Sequence, residues 1–203
     1  EYDWDDIWLS EGFATYFTLL FIEHEYGRDA FVEGLEKSQQ RVNDFYKKNP
    51  EYTIVHDNLK DMSQVTSSQT YQKGSWILHM LRGVVGTDVF WRGIQSYYNT
   101  YYNKNATTAD FQRAMEEASG MDLGWFFQQW LYKPGTLVYK GDWKFNPKKN
   151  KVELKLSQTQ QDKHYFKMPI EVGIYFEGDT APQFEKVLMD EQSKQFEIEV
   201  TQK

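Results

Sequence analysis

No cysteine occurs among the 203 residues. That excludes a disulfide framework and a thiolate metal site, and it leaves any metal to His, Asp or Glu. Histidine is itself scarce, at four residues. No apolar run approaches the length of a membrane-spanning helix, and no signal-peptide pattern is visible. Positive charge is in the minority: 23 Lys and Arg against 30 Asp and Glu leave a net charge of −7. Phosphate binding needs clustered cations, so this balance argues against nucleic acid as a partner. An acidic surplus suits cationic or amine-bearing ligands instead. Internal repeats and low-complexity tracts are absent as well. The chain enters on EYDWDD, mid-pattern and without a methionine. It therefore reads as part of a longer protein, and its compartment stays open.

Aromatic residues are what the chain has in quantity. Seven Trp and fourteen Tyr contribute to an aromatic share of 17%, which suits thick aromatic packing or a cleft that grips an organic ligand. Two hydrophobic periods divide the sequence. Over residues 1–136 the period is that of a helix. Leu9, Phe13, Tyr16, Phe17 and Leu20 share one stripe, and Gly27 ends it. A second helix opens at Arg28 and Asp29 and stops near Asn49 and Pro50; a polar loop follows over 51–68. TYQKGSWILHMLRGVVG is a third helix closing at Gly86, with Thr87 or Asp88 placed to cap the fourth. Thr107 to Asp110 reads as a capping box for a fifth, and LGWFFQQWL is a short sixth before Pro134 and Gly135.

Over residues 137–203 the period becomes two. Val152, Leu154 and Leu156 alternate with polar residues, as do Phe196, Ile198 and Val200. The longest alternation puts Phe166, Met168, Ile170, Val172, Ile174 and Phe176 on one face, with Pro169 marking an edge or a bulge. The expected fold is α+β: a helical domain over 1–136, then a small antiparallel β-sandwich over 137–203.

Most catalytic signatures are missing. There is no G-x-S-x-G elbow, P-loop or G-x-G-x-x-G string. HEYGR begins like a zinc-binding H-E-x-x-H helix, but Arg28 occupies the second histidine's place, so His24 and Glu25 make no such site. His79, within WILHML, reads as a packed or partly exposed helix residue, and His56 and His164 have no carboxylate at ligand spacing. Asp3, Asp5 and Asp6 lack the glycine and distal glutamate of a calcium loop and suit a helix N-terminus instead. Glu11 stands apart. It sits in WLSEGFATYF, apolar on most sides, with Gly12 directly after it. A mid-helix glycine costs about 1 kcal/mol relative to alanine, so something close by needs the space. A carboxylate held there is paired or binds a cation.

Two strings resemble the M1-family zinc aminopeptidases, a gluzincin family. WDDIWLSEGFATY is similar to the W-x-D-L-W-L-N-E-G-F-A segment that follows their H-E-x-x-H helix, with Ser10 in place of the usual Asn. TYQKGSWILHML is similar to their Y-x-K-G-x-x-x-L-x-M-L helix, and TTADFQRAMEEASGMDLGWFFQQWL more loosely resembles the helices that close their catalytic domain. The resemblance implies the helical half of a thermolysin-like catalytic domain followed by a β-sandwich. It implies that Glu11 is the third zinc ligand and that Tyr71 donates its hydroxyl to the oxyanion of the reaction. Asp6, before Glu11, is a candidate for orienting a metal ligand. Both zinc histidines, the general-base glutamate and the G-x-M-E-N strand that binds the substrate amine have no match here, so the resemblance places them ahead of Glu1.

The activity so implied is hydrolysis of N-terminal residues from peptides with a free N-terminus, with Zn2+ as cofactor in the full-length parent. This chain alone, with one of three ligands, is expected to hold zinc weakly and to be inactive. Two other readings remain at this stage: a non-catalytic scaffold of the same fold, and a module whose aromatics bind peptide or glycan.

Overall fold

A computed structural model describes residues 4–57, 60, 65–160, 164–178 and 181–200. The chain divides into two compact units, Glu1–Gly135 and Thr136–Lys203.

The first unit is helical. A 3-10 turn, Trp4–Asp6, leads into α1 (Ile7–Tyr26). After it come α2 (Arg28–Tyr46), a π-helical turn (Gln69–Lys73), α3 (Gly74–Val85), α4 (Thr87–Tyr101), α5 (Thr108–Ser119) and α6 (Gly124–Leu131). The helices stop where local chemistry makes them stop. Gly27 and Gly86, at φ +88° and +89°, are single-residue corners between consecutive helices. Gly86 itself occupies the cap of α4, so Thr87 begins the helix and neither it nor Asp88 caps it by a side chain. Thr107 and Asp110 do form the full capping box of α5. The polar loop expected over 51–68 lies partly outside the described residues. Within it, Ile54 and Val55 both donate backbone N–H groups to the Leu131 carbonyl, at 3.1 Å each.

Aromatic rings fill the core of this unit. Trp8, Tyr16, Phe31, Phe90, Phe111, Phe126 and Phe127 are almost wholly buried. Along α1, Phe13 stacks on Tyr97 of α4 at 6.1 Å and Phe17 on Trp91 at 6.0 Å, while Trp8 meets the Phe111 edge at 6.2 Å. Such pairs add about 0.5–1.5 kcal/mol each beyond their buried area. Four neighbours therefore hold α1, with α2 and α3 meeting it on its other faces. Among the described residues no helix is long and apolar enough to cross a membrane.

The second unit is all-β and has two sheets. One has the order β1-β2-β5 (Tyr139–Asn146, Lys151–Gln158, Ser193–Glu199), and the other pairs β3 with β4 (Met168–Ile174, Gln183–Met189), all antiparallel. Val152, Leu154, Leu156, Met189, Ile198 and Val200 form its core, with Ile170, Val172, Ile174 and Phe176 packed against them. The alternation expected from Phe166 to Phe176 is thus the inward face. Pro169 lies on a two-stranded sheet, where both strands are edges. Buried Gln158 ties the sheets together: its amide donates to the Phe166 carbonyl and accepts from the Phe166 N–H, both at 2.8 Å. An apolar cleft of about 810 Å³ opens beside Trp143 and Tyr175, which are 71% and 78% exposed.

Candidate active site

Glu11 and Tyr71, the two residues singled out by the motif strings, face each other. The cause is a backbone crossing. Gly12 on α1 and Gly74 at the start of α3 touch through their main chains. A Cβ built on Gly12 would stand 3.0 Å from the Gly74 carbonyl carbon, and one built on Gly74 would stand 3.1 Å from the Gly12 Cα. Few real Cβ atoms sit that close to a neighbour, and here the neighbour is backbone, so a side chain at either position would push the two helices apart by a few tenths of an ångström. The residue before one glycine is Glu11, and three before the other is Tyr71. Crossing the helices at these points brings the carboxylate and the phenol together.

Both side chains are half-buried. The Tyr71 hydroxyl is pushed above its ordinary pKa, first by desolvation and then by the charge of Glu11 and a hydrogen bond to that carboxylate. A donor bond to an anion favours the protonated phenol, so Tyr71 is a hydrogen-bond donor throughout the neutral range. Among the described residues no salt bridge engages Glu11, and the Tyr71 hydroxyl is its side-chain hydrogen-bond partner. Its backbone carbonyl accepts from Thr15 Oγ1 at 2.7 Å. Ser10, in the place of the family's Asn, is exposed.

The remaining sequence candidates lie elsewhere. Asp6 does not turn toward Glu11. Its Oδ1 accepts two 2.7 Å hydrogen bonds, from the backbone N–H and the hydroxyl of Thr108, and that hydroxyl in turn accepts from Trp8 Nε1 at 2.9 Å. Asp6 therefore binds a helix N-terminus, as its charge suggests, but the helix is α5 and not the one it precedes. Asp3 lies outside the described residues. His24 is exposed and sits 2.9 Å from Glu25. His79 is half-buried among Tyr16, Phe31 and Trp76, with Tyr16 Oη 3.2 Å from its Nδ1. Burial, reinforced by Arg28 and Arg82, lowers its pKa to about 4. It is a neutral core histidine. His56 packs edge-on against Tyr52. Among the described residues no three His, Asp or Glu side chains converge on a point that could hold a metal.

Sequence reasoning passed over one residue next to the site. Lys73 is 4% exposed, and its ammonium lies 2.6 Å from Tyr46 Oη and 5.0 Å from that ring's centre. Burial lowers its pKa to about 7. The signal was present: Lys73, Ile77 and Leu81 are spaced at four and eight residues, so the lysine shares the buried stripe of α3.

Residues 2–130 match the model of the peptidase family M1 domain. The chain belongs to that family. Among curated relatives, the glutamyl aminopeptidase of Bitis rhinoceros is 31% identical over 147 residues, covering 68% of this chain and 15% of that protein. Probable aminopeptidase 1 of Sulfurisphaera tokodaii is 29% identical over 147 residues, covering 68% and 19% respectively. The chain thus spans less than a fifth of the length of these relatives. In fold it resembles the aminopeptidase A of Legionella pneumophila, solved in complex with aspartic acid: TM-score 0.72 over 97% of this chain and 22% of that one, at 19% identity. A mutant M1 zinc metallopeptidase of Deinococcus radiodurans, bound to a Tyr-ser-ala substrate, gives a TM-score of 0.51 at 25% identity over 64% of this chain and 28% of that one.

Proposed function

We propose that this chain supplies one metal ligand, Glu11, and one oxyanion donor, Tyr71, to a zinc aminopeptidase that removes N-terminal residues from peptides. On this reading the first unit is the helical part of the catalytic domain and the second is a β-sandwich domain. The observation that carries the proposal is the Gly12–Gly74 crossing, which sets the two side chains face to face. The names of the family relatives support the reaction class.

The residues fit a share of a zinc site and not the whole of one. Glu11 offers a half-buried oxygen ligand with no competing cation among the described residues, a donor type zinc accepts. When bound, zinc polarises the substrate carbonyl and makes water a nucleophile near neutral pH. The chain's own contribution to the chemical step is Tyr71. Its protonated hydroxyl, held beside the ligand carboxylate, is placed to donate to the oxygen that gains charge as the peptide carbonyl is attacked. Two histidine ligands and a general base come from outside these 203 residues on this reading.

Tyr71→Phe in the parent protein is expected to lower kcat about 10²–10³-fold with little change in KM, the loss typical of one oxyanion donor. Steady-state kinetics decide it, and near-normal turnover overturns the assignment. The 203-residue chain alone is expected to lose zinc on dialysis and to hydrolyse no peptide, since one carboxylate is a poor site. Metal analysis that finds one tightly held zinc per chain would contradict this.

A further inference from the structure

Tyr71 lies at the centre of a five-residue π turn, and something must hold that turn in place. Wider turns of this kind carry one residue more than an α-turn and are frequent at functional sites. Here the Gly74 N–H reaches the Gln69 carbonyl, closing the wide ring. The residues of the turn divide sharply. Tyr71 and Gln72 are half-buried, while Gln69, Thr70 and Lys73 are 0%, 1% and 4% exposed. The buried three are anchors. Gln69 Nε2 donates to the Val42 carbonyl at 3.3 Å, and Thr70 Oγ1 to the Val65 carbonyl at 2.6 Å. Lys73 Nζ donates to Tyr46 Oη at 2.6 Å, and that hydroxyl donates to the Tyr52 carbonyl at 3.2 Å.

Of these anchors Lys73 is chemically the oddest. A buried amine that forms no ion pair among the described residues is expensive to desolvate, and an apolar side chain of similar length would fill the space more cheaply. What an apolar side chain lacks is direction. The Lys73–Tyr46 bond ties the C-terminal end of the π turn to the last residue of α2. One residue further on, Gly74 rests on Gly12 of α1. The turn is thus fixed against two helices at adjacent positions.

We propose that Lys73 is a positioning residue, whose bond to Tyr46 sets the π turn so that the Tyr71 hydroxyl faces Glu11. This rests on the role given to Tyr71 above, and its test keeps the two claims apart. The full-length zinc-loaded protein is labelled with 3-fluorotyrosine, and the Tyr71 resonance is identified by its absence in Tyr71→Phe. Lys73→Met is expected to move that resonance and to lower kcat about 10–100-fold, the range for residues that orient a site, with KM unchanged. Tyr46→Phe removes the anchor from the other side and is expected to act in the same direction. The double variant Lys73→Met/Tyr71→Phe is expected to be no slower than Tyr71→Phe alone, because Lys73 acts through that hydroxyl.

An unmoved Tyr71 resonance in Lys73→Met overturns the inference, whatever the turnover. Multiplicative losses in the double variant overturn it as well. A shifted resonance combined with full turnover in Tyr71→Phe supports the positioning role and removes the oxyanion role.

Discussion

Glu11→Gln in the parent protein is expected to release zinc and to abolish peptide hydrolysis in the same step. The amide is nearly isosteric with the carboxylate but carries no charge, so the α1 fold is preserved while the metal loses an anionic ligand. On the proposed roles the loss of turnover should exceed the 10²–10³-fold drop expected for an oxyanion donor, because Tyr71 would assist one step whereas a ligand would underlie all of the metal's chemistry. Two readouts check it together: zinc per chain after dialysis, and kcat/KM at saturating added zinc. Partial rescue by excess metal is the expected pattern for a ligand. A variant that retains its zinc and its rate would leave Glu11 as a helix residue facing Tyr71 without metal chemistry.

Gly74→Val is the second large effect, and it is one of stability. A Cβ at Gly74 would meet the Gly12 Cα at 3.1 Å and the Trp8 carbonyl oxygen at 3.5 Å. The second is ordinary contact, but the first is tight and its partner is main chain, so no side-chain rotation relieves it, and the branched methyls of valine add to it. Overpacking of this kind costs about 1–3 kcal/mol, and the backbone partner puts Gly74→Val at or above the upper end. Gly83→Ala on the same helix is the control. A Cβ there meets nothing within 4 Å, so the variant should gain about 0.5–1 kcal/mol from helix propensity. Thermal unfolding of the two variants should therefore bracket the wild type. Equal melting of Gly74→Val and wild type would mean that the crossing yields and does not fix the site.

The sequence made legible whatever is specified locally. The capping box at Thr107, the stops at Gly27 and Gly86, and the inward face from Phe166 to Phe176 all depend on neighbours a few residues away. Glu11 and Tyr71 were legible for a different reason, since each sits in a recognisable string. The resemblance implied one site for both, but what could not be read is the contact through which the two strings meet. Gly12 looked like a residue that needed space, but nothing in the pattern named Gly74 as the backbone that takes it. The π turn was hidden because an α-period run through TYQKGSWILHML fits the apolar stripe equally well. Asp6 was read as serving its own neighbourhood, whereas its partner is a threonine a hundred positions away. Tertiary pairing decided each of these.

The Asp6–Thr108 link has a kinetic consequence. Its two hydrogen bonds join residues 102 apart in the chain, so they form only after a long loop has been closed. Closure entropy grows slowly with loop length, but a chain rich in contacts of such separation folds more slowly. If the link closes after the helices between have assembled, the segment entering α1 is latched last, and Asp6→Ala should then leave the folding rate unchanged while speeding unfolding in stopped-flow measurements. A bond made that late acts mainly on the unfolding rate. On that order of events the Asp6 carboxylate prolongs the native state more than it speeds the route to it.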